Sequence, residues 1–201
     1  MVEDRKNQII TEATALFSKY GYDKVSVKQI ASACGVTDAA LYKHFKSKAD
    51  VYDTVLETLL NRMQYQELFK RLNKVNDLEK VLHEMARFLL EFLNKNDDLY
   101  RLMLFSALRG HSKARKIYAQ IRGNLIEFIS GRIQAFKDKG ITYNINPFIT
   151  ARCFIGMVMD CALGLNLWQS LGGKVISAED AIKNNIPIYA RGLIKKDGNE
   201  K

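Results

Sequence analysis

Little in this sequence points to catalysis, export or a membrane. Its 201 residues hold three cysteines, Cys34, Cys153 and Cys161, which form no CxxC pair and no cysteine/histidine ligand spacing. An odd number also argues against a disulfide framework, so reduced thiols in the cytoplasm are the expectation. The three histidines, His44, His83 and His111, are scattered, and no metal site is expected. GxSxG, HExxH, P-loop and GxGxxG patterns are all missing, which sets an enzyme aside and leaves no cofactor expected. The opening MVEDRKNQ lacks the apolar stretch of a secretory signal. The most membrane-like run, Phe154 to Trp168, is short for a bilayer span and carries Asp160 and Asn166, so it reads as a buried helix and no membrane partner is expected. With two prolines and twelve glycines as the only strong punctuation, no strand alternation and no internal repeat, the chain is read as all-α.

What is present is helical period and positive charge. The formal charge of +9 suits a polyanion such as nucleic acid, but it is unevenly spread. Met1–Asp50 holds eight basic residues against six acidic ones, while Arg109–Lys139 holds eight against two. Charge alone therefore does not locate a site, and the second surplus reads first as a solvated helix face.

The period divides the chain into helices with legible ends. Ile9, Ile10, Ala13, Leu16 and Phe17 mark the buried face of a first helix that stops at Tyr20-Gly21. Ser26 with Gln29 forms a capping box for a short helix reaching about Ala33. Gly35 turns the chain, Thr37 caps a third helix anchored by Leu41 and Phe45, and Ser47 with Asp50 opens a long fourth. Asn76 is the expected cap of a helix through Val81, Met85 and Phe92, and Asp97–Leu108 a shorter one. A basic helix through Ile117, Leu125 and Phe136 closes at Gly140. Asn146-Pro147 is an N-cap with proline at the first helical position, opening a helix apolar almost all round that runs to about Leu171. Ser177 with Asp180 starts the last helix, which Pro187 should kink, and KKDGNEK reads as a frayed tail.

The stretch VKQIASACGVTDAALYKHFKSKADV has the spacing of a helix-turn-helix. Ala31, four before Gly35, lets two helices cross closely, and Leu41, six after it, holds the second helix on its support. Tyr42, Lys43 and His44 then face outward, with Lys48 just beyond, and all are donors suited to phosphate or base edges.

From Gln8 to about Leu56, through LFSKYGY, SVKQIASACGV and LYKHFKSKADV, the chain resembles the DNA-binding region of TetR-family transcriptional regulators. The resemblance implies a three-helix DNA-binding domain at 1–46, a helical ligand-binding and dimerisation domain at 47–195 and a tail at 196–201. It implies a homodimeric repressor on a palindromic operator in double-stranded DNA, released by a small-molecule inducer, with the third helix of each subunit in the major groove. Activation instead of repression stays open. By position, Ser26, Thr37, Tyr42, His44 and Lys48 would contact phosphates, and Lys28, Ala39, Ala40 and Lys43 would face bases or thymine methyl groups. The resemblance also implies that Val27, Ile30 and Phe45 join Ala31 and Leu41 in the core. Ser26 and Thr37 have the alternative of acting only as caps, and Tyr42 of only packing. Asp38 and Ala39 depart from the commoner pattern: Asp38 either accepts from a cytosine amino group or only suits the helix dipole, and Ala39 replaces a frequent glycine.

Beyond that region the resemblance implies a dimer through the last two long helices, with Gly156, Ala162 and Gly164 allowing close approach, and the fourth helix as the lever between ligand and DNA. Arg122, Asp160 and Asn166 lie in period with Tyr118, Ile121, Met157, Cys161 and Trp168, a few polar groups among apolar ones as in a ligand cavity. The alternative pairs Asp160 with Arg152 and makes the aromatics plain core. A hydrophobic drug or lipid suits the apolar lining, and an acid or acyl-CoA suits Arg115 and Arg122. The rival function is a helical small-molecule-binding protein of the same fold without specific DNA binding.

Overall fold

The computed structural model describes residues 2–174 and 176–195; the side chains of residues 2, 3 and 166–170 lie outside that description, as does the tail from 196. The described residues form ten helices: α1 (Val2–Tyr20), α2 (Val27–Ala33), α3 (Asp38–Tyr42), α4 (Lys48–Arg62), α5 (Tyr65–Leu72), α6 (Leu78–Lys95), α7 (Asp97–Leu108), α8 (Ser112–Asp138), α9 (Pro147–Ser170) and α10 (Ala178–Leu193). Among them there is no strand, only an isolated antiparallel bridge between Thr142 and Ile194, so the protein is all-α.

Short polar side chains set most of the helix starts. The Ser26 N–H donates to Gln29 Oε1 at 2.7 Å and the Gln29 N–H to Ser26 Oγ at 3.2 Å, a reciprocal capping box. Thr37 Oγ1 accepts from the Ala40 N–H at 3.2 Å, Ser47 Oγ from Asp50 at 3.1 Å, Asn146 Oδ1 from Ile149 at 3.0 Å and Ser177 Oγ from Asp180 at 3.0 Å. Each satisfies an N–H that the first helical turn leaves without a partner. One expectation needs correction. α6 is capped by Asp77, whose Oδ1 accepts from the Lys80 N–H at 3.0 Å, and not by Asn76, whose side chain instead accepts from Lys139 at 3.3 Å. The long fourth helix ends at Arg62 as its apolar stripe does, and α5 follows as an element the sequence did not announce. Its N-cap Gln64 makes no side-chain hydrogen bond, so there was no capping signal to read.

The described residues pack as two compact units, one from 2–63 and 96–119, the other from 64–95, 120–174 and 176–195. In the first, α1 packs on α2, α4 and α7, and α2 on α3. Phe17, Leu41, Val55 and Leu56 are fully buried there, with the Phe17 ring edge-on to Tyr52 at 4.8 Å between centroids. The Tyr52 hydroxyl is hydrogen-bonded to Ser106, and burial pushes its pKa up. The short helices are thus held on a support that includes α4 and α7.

In the second unit α9 packs on α6 and α10, and α10 on α6, with Phe154, Met85 and Leu89 fully buried. Phe69 of α5 stacks on Phe128 of α8 at 3.9 Å, and Arg132 donates to the Asn73 carbonyl at 3.1 Å just past the end of α5. Pro147–Leu165 is long and apolar enough to cross a membrane by length and composition, a test that core helices of soluble proteins also pass. It is apolar on its outer face as well: Phe148 and Ile149 are each 58% exposed, and Ile188 of α10 is 64% exposed.

Candidate nucleic-acid interface

The turn between α2 and α3 is closed by the backbone. Gly35 takes φ +65°, which L side chains rarely adopt, while the Val36 N–H donates to the Ala31 carbonyl at 2.9 Å. Ile30, Ala31, Leu41 and Phe45 are buried beneath it. Val27 is only half-buried, and the neighbouring Val25 is the buried valine at this edge. Burial also raises the pKa of the Cys34 thiol, as does the charge of Glu12. The helix-turn-helix therefore has a dry underside.

Its other side is open to solvent. Tyr42 is 51% exposed, Lys28, Ala39 and Lys43 are exposed, and Ala40 and His44 are half-buried. Ser26 and Thr37 are exposed caps, and the Thr37 oxygen accepts from backbone while its hydroxyl proton has no partner among the described residues. Asp38 lies exposed in the first turn of α3, where its charge suits the helix start. Lys48 differs from the others. Its ammonium donates to the Tyr22 carbonyl at 3.0 Å and lies 4.1 Å from the Tyr22 ring centroid, so its stem is half-buried and its direction fixed. An ammonium has three protons, and this bond uses one.

The seven positions read as a ligand site are not gathered into one cavity. Tyr118 belongs to the first unit and the rest to the second. Ile121 is buried core. Arg122 directs Nη1 to Met159 Sδ at 3.4 Å, and its Nη2 lies 3.8 Å from where a Cβ on Gly156 would stand. Gly156 thus faces a guanidinium of its own unit, and Ala162 is buried within that unit. Met157 sits near Ala86, Leu90 and Ile186. Asp160 and Cys161 border a cleft of about 530 Å³ with Gly164, Lys174, Asp180 and Asn184. Burial and the Asp160 charge raise the Cys161 pKa, and Asn185 Nδ2 approaches its sulfur at 3.9 Å. The side chains of Asn166 and Trp168 lie outside the described residues. Period along one helix could not foresee this scatter, because it fixes a face but not which neighbouring helix that face meets.

A second cleft was missed by the sequence reading. It measures about 490 Å³, lies wholly within the first unit and is bordered by Phe17, Tyr22, Tyr52, Phe105, Arg109 and His111 among others. Its residues come from α1, α4, α7 and the turns beside them, and no local pattern joins them.

Comparison with known proteins agrees with this geometry. Residues 9–55, spanning the end-to-end course from α1 into α4, match the model of the family described as bacterial regulatory proteins, tetR family. The chain is 22% identical over 161 residues to the uncharacterized HTH-type transcriptional regulator YhgD of Bacillus subtilis, covering 78% of this chain and 84% of that protein. A solved structure from Mesorhizobium loti, assigned to the TetR-family transcriptional regulators, shares the fold with a TM-score of 0.74 at 22% identity, covering 97% of this chain and 99% of that one. AibR, solved in complex with isovaleryl coenzyme A and operator DNA, shares it with a TM-score of 0.70 at 20% identity, over 92% of this chain and 97% of its own. The matched stretch coincides with the helix-turn-helix and its caps, and over residues 9–55 the chain carries the region described by the tetR family of bacterial regulatory proteins.

Proposed function

We propose that the protein is a cytoplasmic, ligand-responsive repressor that binds a pseudo-palindromic operator as a homodimer and is released by a small-molecule inducer. The observation that carries this reading is the helix-turn-helix with a buried underside and an open face, on which Tyr42, Lys43 and Lys28 stand free of packing duties. In it, Ser26, Thr37, Tyr42, His44 and Lys48 position the protein on phosphates, while Lys28, Ala39, Ala40 and Lys43 meet the bases. Residues 1–46 carry DNA binding and 47–195 carry ligand binding and dimerisation, although α4 and α7 pack with the first unit. The exposed Phe148, Ile149 and Ile188 on α9 and α10 are apolar surface that a second copy would cover. The inducer site of this reading is the cleft beside Asp160 and Cys161, with Met157 about one turn earlier on α9. That AibR was solved with an acyl-CoA and operator DNA supports the reading by likeness of fold.

The alternative, a ligand-binding protein of this fold without specific DNA binding, is favoured by one observation: the exposed Asp38 puts an anion at the start of α3. Selection from a random duplex pool separates the two. The proposed function predicts recovery of a pseudo-palindrome whose affinity falls steeply with salt; weak binding indifferent to sequence would favour the alternative.

A further inference from the structure

The cleft in the first unit shares no residue with the DNA-facing set or with the seven positions read as a ligand site. At about 490 Å³ it is within the range of pockets that enclose small molecules. Its walls are aromatic. The Tyr22 and Tyr52 rings lie 4.7 Å apart, Phe17 stands edge-on to Tyr52, and Phe105 forms a partly exposed wall from α7.

The polar groups around it are unequally available. Ser106 donates its hydroxyl proton to the Leu102 carbonyl at 2.6 Å, so the Tyr52 hydroxyl must donate to Ser106 and has no proton left to offer. His111 accepts from the Ala114 N–H at 3.4 Å with Nδ1, while its Nε2 lies 3.6 Å from Asp53 Oδ1. Arg101 is paired with Asp97 at 3.4 Å. Arg109 makes no ion pair among the described residues, and of the charged side chains near the Tyr52 hydroxyl it acts more strongly than Asp23. Asp23 and Asp98 also border the cleft, and Arg109 is its one cation without an ion pair among the described residues; an aromatic cleft with that guanidinium at its rim suits a flat apolar body whose anionic head sits on Arg109.

We propose that this cleft binds a small aromatic carboxylic acid, its ring against Tyr22 and Phe105 and its carboxylate on Arg109, and that occupancy weakens operator binding. The coupling runs through Tyr22, which walls the cleft and also fixes the Lys48 ammonium by its carbonyl and its ring. A ligand that prefers a shifted Tyr22 disfavours the Lys48 placement suited to phosphate by the difference in its affinity for the two states. This second part rests on the DNA-binding function proposed above.

The test is calorimetric titration of the full chain with naphthylacetate, naphthylacetamide and naphthylmethylamine, followed by operator binding at saturating naphthylacetate. We expect one saturable site for the acid, weakened about tenfold by Arg109→Gln while the amide is unaffected, weakening of both by Phe105→Ala, and a several-fold loss of operator affinity. Arg109 and Phe105 are exposed, so neither variant threatens the fold. The proposal is overturned by no saturable binding, by acid binding indifferent to Arg109→Gln, by tighter binding of the amine, or by operator affinity unchanged at saturation. Should no duplex be selected at all, the DNA-binding function fails, while the calorimetry still decides the site.

Discussion

α3 is five residues long, whereas α9 at the centre of the second unit has twenty-four. Five residues make too few internal hydrogen bonds to hold a helix in water, so α3 exists because Thr37 caps it and Leu41 anchors it. Once those two requirements are met, the remaining side chains are free to face a partner. α9 is placed in the opposite way, by burying Ala151, Phe154, Ile155, Val158 and Ala162, and its composition mostly reports packing. The proposed function is therefore easier to read on the short helix than on the long one.

The largest effects should come from the two anchors. Phe154→Ala should cost about 3–5 kcal/mol and Leu41→Ala about 2–5 kcal/mol in urea denaturation, because both side chains are fully buried. A loss under about 1 kcal/mol for Leu41→Ala would break the comparison, since α3 would then be held by something else. Next is the outer face of α9 and α10. Phe148→Glu combined with Ile188→Glu should convert a dimer into a folded monomer in sedimentation velocity, and a variant that stays dimeric would place the interface elsewhere. Ser26→Ala should cost about 1 kcal/mol in thermal melting by removing one half of the capping box.

The smallest effect concerns pH. The Tyr189 hydroxyl donates to the Thr150 carbonyl at 2.6 Å, and burial pushes its pKa up to about 12. A raised pKa means that the protonated form is favoured in the folded state. Its contribution is thus complete below the unfolded value of about 10 and is lost as pH rises toward 12. Tyr189→Phe should flatten the loss of stability across that window in denaturation curves, and an unchanged slope would show that Tyr189 titrates normally.

These contrasts explain how much was legible. Ser26, Thr37, Ser47, Asn146 and Ser177 act on backbone three residues away, so their roles could be read from spacing and the structure keeps all five. Gly35 was legible for the same reason. α5 was not, because it opens without a capping side chain, and Asp77 displaced Asn76 because adjacent polar residues offer equal signals. The clefts were illegible in principle. Tyr22, Tyr52 and Arg109 meet only after three helices have packed, and the Arg122 guanidinium finds Met159 across α9 instead of a cavity shared with Asp160.

The most direct test of the account is the affinity of Tyr42→Ala and Lys48→Ala for the selected duplex across a salt series, with circular dichroism melts as the control for folding. The account predicts that Tyr42→Ala keeps its melting behaviour, that Lys48→Ala stays folded with a melt lowered only by the loss of its bond to the Tyr22 carbonyl, that both lose about tenfold or more in affinity, and that Lys48→Ala lowers the salt slope by about one. Wild-type affinity and slope in both folded variants would contradict it, because the open face of α3 would then not be where the protein meets DNA.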